Sequence, residues 1–340
     1  MINIVYRLTA PKLFEEVYDE INVNKDVIVR PSYLSICKAD QRYYQGKRSS
    51  EILDSKLPMA LIHEGVGKVV KDNTGSFNIG DNVVMIPNTP VEKDEYIKAN
   101  YLESTKFRGS GLDGFTSDLI SLKEDRLVKV PDSFDLEIAS FTELLSVIYQ
   151  GINKFDEIAT GSKDTLGVWG DGSLGFITSL ILKVNYPQSK IIVFGKHFEN
   201  LNMFSFADEV YKINEVPKDL VIDHCFECVG SQSSQLAIDQ MINLINPQGT
   251  IILFGVSEYP IPINTRNILE KGLTLVGISR SEREDFIGVI KLLMDNPKIF
   301  QYLTNLITEV IAIHSINDLK EAFDRDSISN FGKTVLKWDK

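Results

Sequence analysis

The chain has 340 residues, enough for two domains, and 43% of them are apolar, which excludes wholesale disorder. Lys and Arg total 36 against 47 Asp and Glu, so the formal charge of −11 argues against nucleic-acid and membrane-surface roles. Three cysteines build no disulfide framework, the N-terminus carries no basic and apolar leader, and no apolar run approaches the ~18 residues of a membrane span, so a cytoplasmic protein is expected.

The first 130 residues read as strands broken by turns: Asp26–Ile36, Gly67–Val70, Asn82–Ile86 and Phe115–Leu122 are β-branched or alternating. Leu136, Ala139, Leu144, Val147, Ile148 and Ile152 recur at helical spacing, which predicts a helix over Leu136–Phe155. Strand and helix patterns then alternate. Thr165–Trp169 is a strand, Ser173–Val184 a helix, and Lys190–Phe194 and Leu220–Val229 are strands. Gln232–Ile245 reads as a helix, Thr250–Gly255 and Leu273–Ile278 as strands, and Asp285–Met294 as a helix. That alternation predicts a doubly wound parallel sheet. The tail returns to β character in Leu306–Ile313 and Thr334–Trp338, around a helix at Ile316–Phe323. One domain interrupted by another is the expected organisation, with boundaries at 1–145, 146–282 and 283–340.

Between the strand at Thr165–Trp169 and its following helix lies Gly170-Asp171-Gly172-Ser173-Leu174-Gly175, a G-x-G-x-x-G. In that context its glycines permit a tight turn, close approach of a pyrophosphate, and tight helix–strand packing. A plain glycine-rich turn is the bland reading, and the βαβ surroundings outweigh it. The next strand ends in Gly195-Lys196, about 20 residues on, where an NAD site usually has a carboxylate for the ribose. Lys196 can instead pair with a 2′-phosphate, a contact of roughly 1.5–3 kcal/mol. NADP is therefore expected.

Cys37, His63 and Glu143 offer a thiolate, an imidazole and a carboxylate, a reasonable three-ligand zinc set with one open position. Separations of 26 and 80 residues do not assemble them, and singly Cys37 reads as an inert small residue and His63 as a satisfied histidine. Cys225 and Cys228, three apart in a strand, point to opposite faces and read as core residues; His224 and His314 belong to no motif.

Taken together, the Cys37 turn, His63-Glu64-Gly65-Val66-Gly67, Gly80-Asp81-Asn82-Val83-Val84, Glu143-Leu144-Leu145-Ser146, the glycine turn and Pro247-Gln248-Gly249-Thr250 resemble the zinc-dependent medium-chain dehydrogenases along essentially the whole chain. The resemblance implies an α/β protein with a GroES-like catalytic domain and a Rossmann domain. It implies Cys37, His63 and Glu143 as zinc ligands, Glu64 as the adjacent glutamate near or on the metal, and Asp40 as the acid that orients the histidine. Val91–Tyr101, where many relatives carry four cysteines, has none, so one catalytic zinc and no structural zinc is expected. Ala39 replaces a common proton-relaying hydroxyl, leaving water, substrate hydroxyls or Glu64 for that path.

Ala207–Ile213, Asp223–Gly230, Asn246–Lys271 and Phe331–Asp339 are similar to the NADP-dependent ribulose-5-phosphate reductases, which make D-ribitol 5-phosphate for CDP-ribitol and wall teichoic acid or capsule. That resemblance implies a sugar-phosphate substrate, a homodimer, and by pathway a ribitol-5-phosphate cytidylyltransferase partner. Lys38, Arg42 and Arg108 are candidate phosphate contacts within a local basic cluster that includes Lys47 and Arg48, and Arg280 ends a strand. The rivals are an unphosphorylated-polyol dehydrogenase of the sorbitol or xylitol type and a non-catalytic dinucleotide-binding protein.

Overall fold

The structure, a computed structural model, describes all 340 residues, Met1–Lys340. It divides into two compact units, Met1–Ser146 with Arg280–Lys340, and Val147–Ser279.

The head of the first unit runs β1 (Ile2–Ala10), β2 (Leu13–Glu20), β3 (Val27–Ser35), α1 (Lys38–Tyr44), α2 (Ser50–Lys56), β4 (Met59–Ala60), β5 (Glu64–Asp72) and β6 (Asn82–Met85). It continues through β7 (Asn88–Thr89), β8 (Lys106–Arg108), β9 (Gly111–Leu112), β10 (Ile120–Leu122), β11 (Leu127–Lys129), α3 (Leu136–Ala139) and the start of α4 (Thr142–Ile158), whose residues from Val147 belong to the second unit. The second unit holds β12 (Thr165–Trp169), α5 (Ser173–Asn185), β13 (Lys190–Gly195), α6 (Phe198–Leu201), β14 (Glu209–Lys212), β15 (His224–Glu227), α7 (Ser234–Leu244), β16 (Thr250–Leu253), α8 (Thr265–Lys271) and β17 (Thr274–Gly277). The tail adds α9 (Arg283–Asp295), α10 (Lys298–Thr304), β18 (Ile307–Ile313), α11 (Ile316–Asp326) and β19 (Lys333–Trp338).

In the first unit the main sheet is ordered β11-β6-β5-β3-β19-β18, with β10 also on β3. Its antiparallel register sets Ser35 opposite both Glu64 and Val335. The turn after β3, the start of β5 and the start of β19 therefore meet at one end of the sheet. Tyr6, Leu34, Val69, Phe115, Phe323, Leu336 and Trp338 belong to the core beneath it.

The second unit has one all-parallel sheet, ordered β14-β13-β12-β15-β16-β17. Strand order reverses at β12, so the crevice beyond the carboxyl ends of β12 and β15 is the switch point where such sheets take ligands. Trp169 stacks on Phe194 at 4.0 Å within its core.

The predicted helix over Leu136–Phe155 is instead α3 and α4. The Ser140 and Thr142 hydroxyls donate to the Glu137 and Ala139 carbonyls, at 2.6 and 2.8 Å, and compete with the helical ladder at the break. The strand predicted over Phe115–Leu122 shrinks to β10, because Gly114, Phe115 and Thr116 donate their N–H groups to the carbonyls of Ala60, Leu61 and Ile62. That detour carries backbone past the residues that precede His63.

Candidate active site

Cys37 caps the N-terminus of α1 in a reciprocal box with Asp40: the Asp40 N–H reaches the Cys37 side chain, and the Cys37 N–H donates to Asp40 Oδ2 at 3.1 Å. The other carboxylate oxygen, Oδ1, accepts from the Ile62 N–H at 3.1 Å and stands 3.2 Å from His63 Nδ1. A single buried carboxylate thus joins the thiol turn to the histidine turn and leaves the second imidazole nitrogen for a ligand. Ile62 adopts a left-handed backbone, φ 66°, which costs a β-branched residue about 1–3 kcal/mol. Asp40 on its N–H and the Phe115 N–H on its carbonyl, at 2.7 Å, hold that conformation.

The ligand atoms of Cys37, Asp40 and His63 lie within 4.8 Å of one another, and so do those of His63, Glu64 and Glu143. Glu143 rides on the first turn of α4, where Ser146 Oγ donates to its carbonyl and shares a 2.7 Å hydrogen bond with Ser281 Oγ. Lys333, at the start of β19, pairs with Glu64 at 2.7 Å and donates to the Ile36 carbonyl at 3.0 Å, all three residues being buried.

Burial, with Glu64, pushes the Cys37 thiol pKa up against the pull of His63 and Lys333. Burial likewise lifts Glu143 above the ordinary carboxylate range, and Glu64 and Asp40 add to the effect while His63 and Lys333 oppose it. For His63 burial disfavours the imidazolium, but Asp40 and Cys37 outweigh it and raise the pKa well above normal. With the imidazole neutral, as a metal ligand must be, and its acids ionised, the cluster sets a thiolate and three carboxylates against the Lys333 ammonium, and such an excess is costly to bury. A divalent cation offsets it, and one sulfur, one imidazole nitrogen and carboxylate oxygens suit zinc.

Phe107 packs its ring 5.3 Å from that of His63, and the Arg280 guanidinium lies 5.2 Å over the other partner's ring centre, that of Phe107, while donating to the Thr105 carbonyl. Two of the candidate phosphate contacts are committed elsewhere. Lys38 Nζ reaches Asp326 and the Ser329 carbonyl, and Arg108 donates to the Asp113 and Ser121 carbonyls at 3.2 and 3.1 Å. Arg42 is half-buried on α1.

In the second unit, Gly170 has φ 137°, and a Cβ at Gly175 would stand 1.9 Å from the Gly170 carbonyl oxygen, so neither tolerates a side chain. Gly172 caps α5, which Ser173 and Leu174 begin, so the positive end of the helix dipole follows the glycine turn directly. Asp171, inside the glycine motif, was invisible to sequence reasoning. Its Oδ2 accepts from the backbone N–H groups of Lys196 and His197 at 2.8 and 2.6 Å, and His197 Nδ1 stands 3.1 Å away. A Cβ on Gly195 would lie 2.6 Å from that of Asp171, so the glycine allows the approach. The carboxylate is used inside the protein, while the Lys196 side chain is exposed with no carboxylate partner. Lys212, in register with Gly195, adds a further cation that the sequence reading did not single out.

Glu227 was also missed as a functional support. Its carboxylate accepts from the N–H groups of Val229, Gly230 and Gly255 at 2.8, 3.0 and 2.7 Å, joining the loops after β15 and β16. Lys333 belonged to no site motif; it opens β19, a strand that also carries Lys337. Cys225, Cys228 and His224 are buried in the core, and His314 is exposed.

Residues 23–132 match the alcohol dehydrogenase GroES-like domain, and residues 199–295 match the zinc-binding dehydrogenase domain. The chain is 53% identical to ribulose-5-phosphate reductase 1 of Staphylococcus aureus over 339 residues, 99% of each chain. It is 50% identical to ribulose-5-phosphate reductase of Bacillus spizizenii over 340 residues, 100% of each. The crystal structure of S. aureus TarJ in complex with NADPH matches it with a TM-score of 0.90 and 49% identity over all of both chains.

Proposed function

From its membership of the zinc-binding medium-chain dehydrogenase family, within the ribulose-5-phosphate reductase group, we propose that this chain reduces D-ribulose 5-phosphate to D-ribitol 5-phosphate with NADPH. The reading rests on one observation above all: a chain similar end to end to those reductases sets Cys37 with Asp40 and His63, and His63 with Glu64 and Glu143, in two donor groups that share the histidine. Cys37, His63 and Glu143 would hold a single zinc ion, with Glu64 beside it. Gly170, Gly172, Ser173, Leu174, Gly175, Gly195 and Lys196 would hold NADPH. When bound, zinc supplies Lewis-acid polarisation of the ketone oxygen and NADPH supplies the hydride.

The chain's own residues prepare that chemistry. Asp40 fixes the imidazole plane and tautomer, and Lys333 compensates the Glu64 charge. Glu64 is fully buried against that lysine, which favours water or substrate hydroxyls over Glu64 as the proton route past Ala39. Val91–Tyr101 has no cysteine, in keeping with one zinc per subunit. No helix is long and apolar enough to cross a membrane; the cytoplasm is the location we assign to the enzyme. The outer edge of β17, unpaired within the sheet, is the edge we assign to a homodimer. The product would feed CDP-ribitol synthesis for wall teichoic acid or capsule, where a ribitol-5-phosphate cytidylyltransferase is the pathway partner.

Following NADPH oxidation with D-ribulose 5-phosphate, D-ribulose and D-fructose tests the proposal. Turnover with the phosphorylated ketose, lost on chelation and restored by zinc, is the expected result. Preference for the unphosphorylated ketoses would make the chain a polyol dehydrogenase. Bound zinc and NADPH with no turnover of any ketose would overturn the substrate.

A further inference from the structure

The cations expected to hold the substrate phosphate are largely occupied: Lys38 with Asp326, Arg108 with backbone carbonyls, and Lys333 with Glu64. A different group stands beside the donor cluster. Gly109 lies so close to His63 that a Cβ on it would be 3.5 Å from Nδ1. The next residue, Ser110, faces a set of polar and cationic side chains. Its hydroxyl shares a 3.3 Å hydrogen bond with Tyr43 OH, and its carbonyl accepts from Lys56 Nζ at 3.1 Å. The Arg48 guanidinium lies 4.9 Å over the Tyr43 ring.

We infer that Arg48, Lys56, Tyr43 and Ser110 form the cradle for the substrate's phosphate monoester. The inference rests on the proposed ketose-phosphate reading and names the part of the site that selects the phosphate.

Three features support it. First, a dianion needs more than one positive charge at close range, and Arg48 and Lys56 supply two, with two hydroxyls between them. Lys56 pairs with no carboxylate; its one hydrogen bond is to a carbonyl, which an anion can displace. The nearby Asp113 carboxylate is neutralised by Arg7, at 2.6 Å, and so does not repel an incoming phosphate.

Second, the placement fits. A ketose with its C2 oxygen at the donor cluster carries its phosphorus beyond three carbon–carbon bonds and an ester link, a reach of about 6 Å. Gly109 lies against the Asp40-facing side of the His63 ring, and Ser110, the next residue, opens the cradle.

Third, the same short helix serves both ends of the substrate. Cys37 caps α1 and Tyr43 sits in its last turn, so α1 fixes the distance between the reacting carbonyl and the phosphate. Tyr43 is 3% exposed, which pre-positions its ring beneath Arg48.

Lys56→Met, Arg48→Met and the double variant, assayed on D-ribulose 5-phosphate and D-ribulose, test the cradle. Each single variant is expected to lose about tenfold or more in kcat/KM on the phosphate ester, carried in KM, and the double variant about a hundredfold. The loss on D-ribulose should be several-fold smaller at every step, and Lys56→Arg should recover part of the affinity. Lys38→Met, on α1 and paired with Asp326, should leave KM for the ester near the wild-type value. Equal losses on both ketoses, or no loss on the ester, would overturn the cradle. Binding of inorganic phosphate to the NADPH-loaded protein separates this result from failure of the substrate reading. If the wild-type chain turns over no ribulose 5-phosphate, phosphate binding lost in the two Met variants still upholds the cradle, and binding unchanged in them refutes it.

Discussion

The two units build their polar centres in opposite ways. In the second unit the dinucleotide turn is local: Gly170 to Gly175 are contiguous, and one strand and one helix position them. In the first unit the charged cluster comes from four places in the chain, Cys37, His63–Glu64, Glu143 and Lys333, brought together by sheet register, by Asp40 and, for Glu143, by the first turn of α4. The local centre can lose one contact and keep its shape. In the distributed centre each residue is a strut for the others, because removing one leaves a buried charge unpaired.

That contrast predicts the largest effect at the struts. Cys37→Ala should abolish both stoichiometric zinc and NADPH-dependent ketose reduction. Asp40→Ala touches no ligand position proposed for zinc, yet it frees His63 and the turn before it, so zinc affinity and activity should each fall about 10–100-fold. Metal analysis after dialysis against a weak chelator, beside kinetics at saturating zinc, separates the two. Full activity in Asp40→Ala once zinc is restored would reduce Asp40 to an affinity residue, and unchanged affinity would remove it from the site.

The same contrast explains what was legible in the sequence. The glycine turn and the strand–helix alternation around it were readable because their physics is local: backbone room, period and spacing. Cys37, His63 and Glu143 needed a resemblance, since no local rule joins residues 26 and 80 positions apart. Ile62 was illegible for a stronger reason. Local preference argues against a β-branched residue at positive φ, and only Asp40 and Phe115 make it stable there. The partners of Lys38 and Arg108 were not legible either, because a charge in sequence says nothing about which carbonyl or carboxylate will claim it. Lys56, by contrast, carried no motif, and only the fold sets it beside Ser110.

Asp171 sharpens the comparison from the other side, as a strut inside the local centre. It should matter for selectivity more than for folding, because it holds the Lys196–His197 backbone on which the proposed 2′-phosphate contact depends. Asp171→Ala is expected to lower the preference for NADPH over NADH by about tenfold, the worth of one charge-assisted contact. KM and fluorescence-titrated affinity for both cofactors should be measured, with zinc content unchanged. A loss shared equally by NADPH and NADH would make Asp171 a general brace of the turn and not a selector.

The smallest effect concerns two buried histidines that titrate in opposite directions. Acidic and thiol neighbours raise the pKa of His63, whereas burial lowers that of His224. His224 Nδ1 accepts from the Thr250 N–H at 3.0 Å, and its ring packs edge-on against Phe155, 4.9 Å between centres. The ring is therefore neutral with its proton on the other nitrogen, and adding a second proton at Nδ1 breaks the bond to the first residue of β16. Since the folded-state pKa lies below the unfolded value of about 6.5, the unfolded chain binds more protons across the interval between them. Stability from this site is complete above that pH and declines as pH falls from about 6.5 towards the folded-state pKa. His224→Asn keeps an acceptor near Nδ1 and removes the titration, so its thermal midpoint should fall less than wild type between pH 7.5 and 5.5. His224→Ala leaves the Thr250 N–H without its acceptor and should cost about 1–3 kcal/mol even at pH 7.5. Equal pH slopes in wild type and His224→Asn would mean that acid sensitivity resides in the distributed cluster of the first unit, where protonation of Cys37 and Glu143 competes with the metal.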